Sequence, residues 1–235
     1  MSGHRELIII CPVYNESAAS LVALAGEWET VLENETRDWE WFFIDDGSSL
    51  EETTAALRRI AACKPRFKLL RTANQGHGQA CIYGYRTLSA RARWLLQIDS
   101  DGQCRPQDFR RLWEDKLEGS HQFGIRRRRQ DGRLRALLSL CIRFYLRLAT
   151  GVSHPDPNCP FRLLYAPLLP PYLNGLQFNL ANLALALRLR ANTKFTDIGF
   201  ARRRDGRSTH RVLKSIASIL ELRRLSFSGA PRPPG

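Results

Sequence analysis

The sequence predicts an α/β fold, a mostly parallel central sheet with helices on both faces, and three observations predict it. Short apolar runs of strand length alternate with longer stretches of helical spacing through the first 125 residues. The turns between them are short and rich in Gly, Asp, Asn and Ser. The chain has 235 residues, 43% hydrophobic and 25% charged, enough for one sizeable α/β core and far from a composition dominated by disorder.

The elements follow in order. Residues 7–11 form a short apolar run ended by Pro12, and Leu21, Leu24, Ala25, Trp28, Val31 and Leu32 then recur at helical spacing. Residues 39–44 read as a second strand. After Asp45-Asp46-Gly47-Ser48, Ser49 and Glu52 form a capping box that predicts the start of a helix carrying Leu57, Ile60 and Ala61. Residues 67–70 read as a third strand, leading through Asn74-Gln75-Gly76-His77-Gly78 into a helix at about 79–90. Residues 94–98 make a fourth strand ending at Asp99-Ser100-Asp101, followed by a helix over 106–117, with Pro106 in its first turn, and a strand at 122–125.

Beyond residue 125 the alternation breaks. Residues 134–148 are apolar around most of a helix, with Arg135, Ser139, Arg143 and Arg147 at steps of four. That pattern suits an interfacial helix with a basic edge, or a core helix with a solvated stripe. A loop at 156–162, a Pro-rich stretch at 166–172, a helix at 179–190, a strand at 195–200 and a basic loop at 202–208 follow. We expect one domain over 1–225, with halves 1–125 and 126–225, and a disordered tail at 226–235.

Charge separates those halves. The net charge is +13, yet residues 121–150 and 188–214 contribute +7 each, so the remainder nets −1. A cationic second half points to a phosphate-bearing partner: nucleic acid, acidic lipid headgroups or a diphosphate. No segment has the roughly 18 to 20 apolar residues that a bilayer span needs, and the N-terminus reads as a first strand rather than a secretory signal. The six cysteines form no C-x-x-C pair, which suggests free thiols in a reducing cytosol.

In open parallel sheets, ligands bind beyond the carboxyl ends of the strands. The four segments expected there are residues 12–16, 45–48, 74–78 and 99–103; all are polar and three carry carboxylates. Several acids facing one crevice imply a divalent metal or a sugar and ribose hydroxyl network. Asp99 and Asp101, two apart, can present carboxylates to one hard cation, and Gln103 can add a neutral oxygen. Mg2+ or Mn2+ suits such a sparse donor set when phosphate oxygens complete it. The Gly76-His77-Gly78 stretch lacks the third glycine and the first-strand position of a dinucleotide fingerprint, and no P-loop occurs.

Residues 10–16 (Ile-Cys-Pro-Val-Tyr-Asn-Glu), 44–48 (Ile-Asp-Asp-Gly-Ser), 74–80 (Asn-Gln-Gly-His-Gly-Gln-Ala) and 98–101 (Ile-Asp-Ser-Asp) together resemble the family 2 glycosyltransferases of GT-A fold. Asp99-Ser-Asp101-Gly-Gln103, Gly124-Ile125-Arg126, the stretch from Asp156 through Phe161-Arg162-Leu163, and Phe200 followed by Arg203-x-x-Gly206-x-Ser208 extend the likeness over almost the whole chain. Within the family, the chain is most similar to polyprenol-phosphate sugar synthases of the dolichol-phosphate mannosyltransferase type. The resemblance implies a Rossmann-like GT-A sheet with a basic acceptor-side region.

It also implies residue roles. Nucleotide-sugar contacts fall to Pro12, Tyr14, Asn15, Glu16, Asp45, Asp46, Asp99 and Ser100, with Gly78 allowing close backbone approach. Asp99, Asp101 and Gln103 would bind the metal, and Asp101, Asp156, Arg126 and Arg203 form the catalytic set, the two arginines facing donor and acceptor phosphates. Thr209 stands where the family has Lys, and Pro160 where it has Gly.

The implied reaction is metal-dependent, inverting transfer of a sugar from a UDP- or GDP-linked donor to a polyprenyl phosphate, dolichyl or undecaprenyl. A lipid phosphate arrives ionised and needs no strong base; a soluble or saccharide hydroxyl acceptor would need one, and Asp156 is the candidate. Residues 134–148 offer a route to a membrane surface, so the expected location is peripheral, at the cytoplasmic membrane face. A nucleic-acid-binding module is set aside because it leaves the acidic loops without a role and lacks aromatics interleaved with the arginines.

Overall fold

The computed structural model describes residues 4–126, 144, 146–148, 151–177, 181–199 and 201. Strand β1 (Arg5–Val13) sends Leu7, Ile9 and Cys11 to one face and Ile8 and Ile10 to the other, the period-two display of a strand buried on both sides. Helix α1 (Ala18–Glu35) starts at Ser17, whose side chain accepts the Ser20 N–H, and buries Leu21, Leu24, Trp28 and Leu32. Then come β2 (Trp39–Asp45), buried along its length, α2 (Glu51–Cys63), β3 (Phe67–Arg71), α3 (His77–Leu88) and β4 (Ala92–Gln97). The predicted alternation is present throughout this half.

The second half adds α4 (Phe109–Glu114), β5 (His121–Arg126), β6 (Arg162–Tyr165), α5 (Ala181–Arg188) and β7 (Thr193–Ile198). The described strands form one sheet of order β3-β2-β1-β4-β6-β5-β7. Among the described strands, β6 alone runs against its neighbours, antiparallel to both β4 and β5. Helices α1, α2 and α4 cover one face, where Trp28 packs edge-on to Trp41, Phe109 and Phe161 at centroid distances of 5.9, 6.2 and 5.8 Å. Helices α3 and α5 cover the other. Close seating of α3 depends on Gly84, where an added Cβ would stand 2.7 Å from the Ile10 side chain.

Several sequence expectations are corrected. Ser49 and Glu52 do not form a capping box: the N-cap of α2 is Leu50, without a side-chain cap of its own, and its N–H and that of Ser49 go to Asn15 in the loop after β1. The helix expected over 106–117 is a short 3-10 turn followed by α4, which stops at Glu114. There the Lys116 ammonium and the Gln122 amide take the carbonyls of Trp113 and Asp115, in place of a further helical turn. Strand β6 falls between the loop expected at 156–162 and the Pro-rich stretch at 166–172, where the sequence predicts no strand, and its pairing is entirely long-range. Of the 134–148 segment, Phe144 and residues 146–148 are helical; Arg135, Ser139 and Arg143 lie outside the described residues, as do Arg203, the basic loop at 202–208 and the tail.

Candidate active site

The loops at the carboxyl edge of the sheet are stitched to one another before any ligand arrives. Asn15 sits in the left-handed region at φ 53°, and its Oδ1 accepts the N–H groups of Ser49 at 2.8 Å and Leu50 at 3.1 Å. It thereby caps α2 from the loop after β1, while the Glu16 carbonyl accepts the Thr53 hydroxyl at 2.7 Å. Asp46 makes the next stitch: Oδ1 accepts from Gln75 N and Oδ2 from Gly76 N, both at 2.9 Å. Gly47, at φ +67°, permits that contact, since a Cβ there would stand 2.8 Å from Asn74 N.

Among the expected nucleotide contacts, Pro12 and Glu16 are buried, Tyr14 is exposed, and Gly78 lies buried in the first turn of α3. Asp45 ends β2 almost fully buried. Its Oδ1 accepts Ser48 N at 2.8 Å; its Oδ2 is buried without a hydrogen-bond partner, with Arg71 Nε 3.6 Å away. A buried acceptor of that kind is costly unless a ligand donates to it.

The end of β4 carries the other carboxylates. Asp99 Oδ1 accepts Gln97 Nε2 at 3.1 Å and lies 3.4 Å from His77 Nε2. Asp101 Oδ1 accepts Gln103 N at 3.1 Å, in a turn where Gly102 has φ +71°. Gln103 reaches across to the segment after β7, donating from Nε2 to the Ala201 carbonyl at 3.1 Å. Ser100 is buried between the two carboxylates. Beneath them, the Cys11 and Cys104 thiols are pushed up, first by burial and then by charges that include both Asp99 and Asp101; Cys11 also feels Glu16. Glu16, Asp99 and Asp101 thus all lie near the Cys11 thiol at the end of β1.

Among the described residues no three of His, Cys, Asp and Glu are grouped to hold a metal ion. Two partly exposed carboxylates and the amide oxygen of Gln103 fit a hard divalent cation whose remaining ligands are phosphate oxygens and water. His77 was missed by sequence reasoning, because only the sheet places the first turn of α3 against Asp99. Burial lowers its pKa, but Cys81 and Asp99 outweigh that and hold the imidazole above its ordinary range.

Near enough to Asp99 to feel its charge, Arg126 at the end of β5 grips Asp156 in a bidentate pair: Nε to Oδ2 and Nη2 to Oδ1, each 2.6 Å. Both side chains are about nine-tenths buried, at 10% and 11% exposure. Burial lowers the Arg126 pKa, and Asp156 more than offsets it, leaving the guanidinium raised above its usual value. His154, also unread in the sequence, accepts Asp156 N on its Nδ1 at 3.2 Å and packs edge-on to Phe195. Burial first, then Arg162 and Arg190, push its pKa down to about 3, so it is neutral at physiological pH.

This arrangement, a parallel sheet with carboxylates at the ends of its strands, is the GT-A fold. The chain superposes on mannosyl-3-phosphoglycerate synthase from Rubrobacter xylanophilus with a TM-score of 0.62 at 17% identity, covering 98% of this chain and 78% of that one. It superposes on the mannosyltransferase PcManGT from Pyrobaculum calidifontis, solved with GDP-Man and Mn2+, with a TM-score of 0.55 at 16% identity, covering 94% and 63%.

Residues 8–168 match the model of glycosyl transferase family 2, and the chain belongs to that family. It is 29% identical over 218 residues to the undecaprenyl-phosphate 4-deoxy-4-formamido-L-arabinose transferase of Aeromonas hydrophila, covering 91% of this chain and 65% of the relative. Against the enzyme of the same name from Serratia proteamaculans it is 28% identical over 222 residues, covering 93% and 67%. The chain spans about two thirds of the length of these curated relatives.

Proposed function

We propose that this chain moves a sugar from a nucleoside-diphosphate sugar to a polyprenyl phosphate at a membrane surface, with Mg2+ or Mn2+ and with inversion at the anomeric carbon. The observation that carries the reading is the gathering of Asp45, Glu16, Asp99 and Asp101 at one sheet edge, with Asp45 Oδ2 buried and unsatisfied. Asp45 would take an N–H of the base, Tyr14 and Pro12 would border it, and Asn15 and Asp46 would hold the loops that shape its pocket. Ser100 and Gly78 would border the donor where the backbone approaches it.

Asp99, Asp101 and Gln103 would hold the divalent ion, which supplies charge stabilisation for the departing diphosphate. Attack from the face opposite that leaving group inverts the anomeric centre. Arg126 would add positive charge at the phosphates, as would Arg203.

The Arg126–Asp156 pair favours a phosphate acceptor. Both Asp156 oxygens already accept hydrogen bonds from Arg126, so taking a proton there would cost the pair, whereas an ionised phosphate asks for no base. The relatives' names carry the same acceptor class, undecaprenyl phosphate. No described helix is long and apolar enough to cross a membrane. Phe144 and Leu148, one helical turn apart, are 62% and 70% exposed, which supports contact of this part of the chain with a membrane surface; the cytoplasmic face is the one proposed.

The test is an acceptor assay: UDP- and GDP-linked sugars with Mn2+ or Mg2+, offered undecaprenyl phosphate in vesicles or water-soluble saccharides. Sugar recovered on the lipid phosphate is the expected result. Transfer to soluble hydroxyls alone would overturn the acceptor assignment and return Asp156 to the role of base.

A further inference from the structure

A buried polar cluster lies directly behind Asp99, and none of it enters the reading above. Tyr85 of α3, Gln97 of β4, Arg162 of β6 and Asn182 of α5 meet there with exposures of 0, 0, 2 and 7%. At that burial every polar atom needs a partner, so the cluster's hydrogen bonds constrain one another. Gln97 and Arg162 are also register partners across the β4–β6 pair.

The directions of the bonds can be followed from the arginine outward. A guanidinium only donates. Arg162 gives Nε to the Cys159 carbonyl at 2.9 Å, Nη2 to the Pro157 carbonyl at 2.8 Å, and Nη1 to the Asn182 carbonyl and to Asn182 Oδ1. That fixes Asn182 Oδ1 as an acceptor and turns Asn182 Nδ2 toward Gln97 Oε1, at 3.4 Å. The Tyr85 hydroxyl, with one proton to give, stands 3.3 Å from the same Gln97 oxygen and 3.2 Å from Asn182 Oδ1. With Oε1 held on that side, Gln97 presents Nε2 to Asp99 Oδ1 at 3.1 Å. The reverse amide orientation would aim an oxygen at the carboxylate.

We infer that Gln97 is a positioning residue for Asp99, and that Arg162, acting through Asn182, fixes which way the Gln97 amide points. A hydrogen-bonded carboxylate is held in one orientation to meet the ion and the diphosphate, as outer partners commonly do for metal ligands. The same arginine clamps the Pro157 and Cys159 carbonyls, next to Asp156, so one buried cation orders the residues behind Asp99 and those beside Asp156. The inference rests on the proposed role of Asp99.

Two variants test it, with Mn2+ binding measured by electron paramagnetic resonance in the presence of UDP or GDP, and thermal midpoints alongside. Gln97→Met removes the amide and keeps the volume; Mn2+ affinity should fall by about 10- to 100-fold. The metal concentration for half-maximal rate should rise in step, while kcat at saturating Mn2+ changes far less. Asn182→Asp keeps the shape and pairs with Arg162, but its carboxylate, placed to accept the Tyr85 hydroxyl as Asn182 Oδ1 does now, can only accept from Gln97 and so competes with Asp99 for Nε2, favouring the reversed amide. Added negative charge alone would strengthen cation binding; reversal of the amide predicts the opposite, a weaker Mn2+ affinity.

Wild-type affinity in folded Gln97→Met, or unchanged or tighter binding in Asn182→Asp, overturns the inference. If Gln97→Met does not fold, Asn182→Asp decides alone. Failure of the wild-type chain to bind Mn2+ with either nucleotide removes the proposed function, and this inference falls with it.

Discussion

Asp46 and Asp156 are both buried carboxylates beside the same crevice, and they are held in opposite ways. Asp46, in the first half, spends its oxygens on the backbone N–H groups of Gln75 and Gly76. Asp156, in the second half, spends its oxygens on the guanidinium of Arg126, 30 residues away in sequence. The contrast is general. The first half builds its site from loops that cap one another, Asn15 on α2 and Asp46 on the turn before α3, and leaves Asp99 and Asp101 open enough to meet a cation. The second half builds with side-chain cations, including an Arg162 buried among carbonyls. In the proposed reaction, one half would receive the metal ion and the other phosphate.

The comparison can be broken most severely at Asp101. Asp101→Ala should lower turnover by at least about 100-fold with an unchanged fold, checked by initial rates beside circular dichroism. In the second half, Asp156→Ala leaves Arg126 buried without its carboxylate and should cost about 3 kcal/mol in urea denaturation. Replacing both partners, Arg126→Met with Asp156→Leu, should restore most of that stability but not activity, which separates the pair's structural part from its chemistry.

The stitches of the first half are smaller. Asp46→Ala strands two backbone N–H groups and should cost about 2 kcal/mol while weakening nucleotide binding. Asn15→Ala removes the cap of α2 and should cost about 1 kcal/mol, measured the same way.

The mildest effect at neutral pH comes from the buried histidines. Burial pushes His121 and His154 down to about 3, so the unfolded chain takes up protons near pH 6.5 that the folded chain refuses. Stability from these two is therefore complete above pH 6.5 and is lost as pH falls toward 3. His121→Asn, which keeps an acceptor for the Tyr165 N–H that His121 Nδ1 now takes, should flatten the fall of the thermal midpoint across that window.

How far the sequence alone reaches follows the same divide. In the first half, strand runs, helical spacing and polar turns are local signals, and each of β1 to β4 stands where those signals put it. Asp99 and Asp101 were readable as a pair because two residues at a strand end define their own geometry. The cap of α2 was misread because its acceptor, Asn15, comes from another loop and no local pattern records it. In the second half the determinants are long-range. Strand β6 is four residues between prolines, and the bond between Arg126 and Asp156 cannot be inferred from two residues 30 apart; in the first half His77 is the matching case, since it matters only once α3 lies beside β4.

The central claim is that the carboxylate edge receives a nucleotide with its metal. Calorimetric titration with UDP, GDP and their sugar conjugates, each with Mn2+ or Mg2+ and again with chelator, tests it most directly. Binding of one nucleotide, lost with chelator and weakened in Asp101→Ala, is the expected result. Equal binding with and without metal, or no binding of any nucleotide by the folded chain, would contradict it.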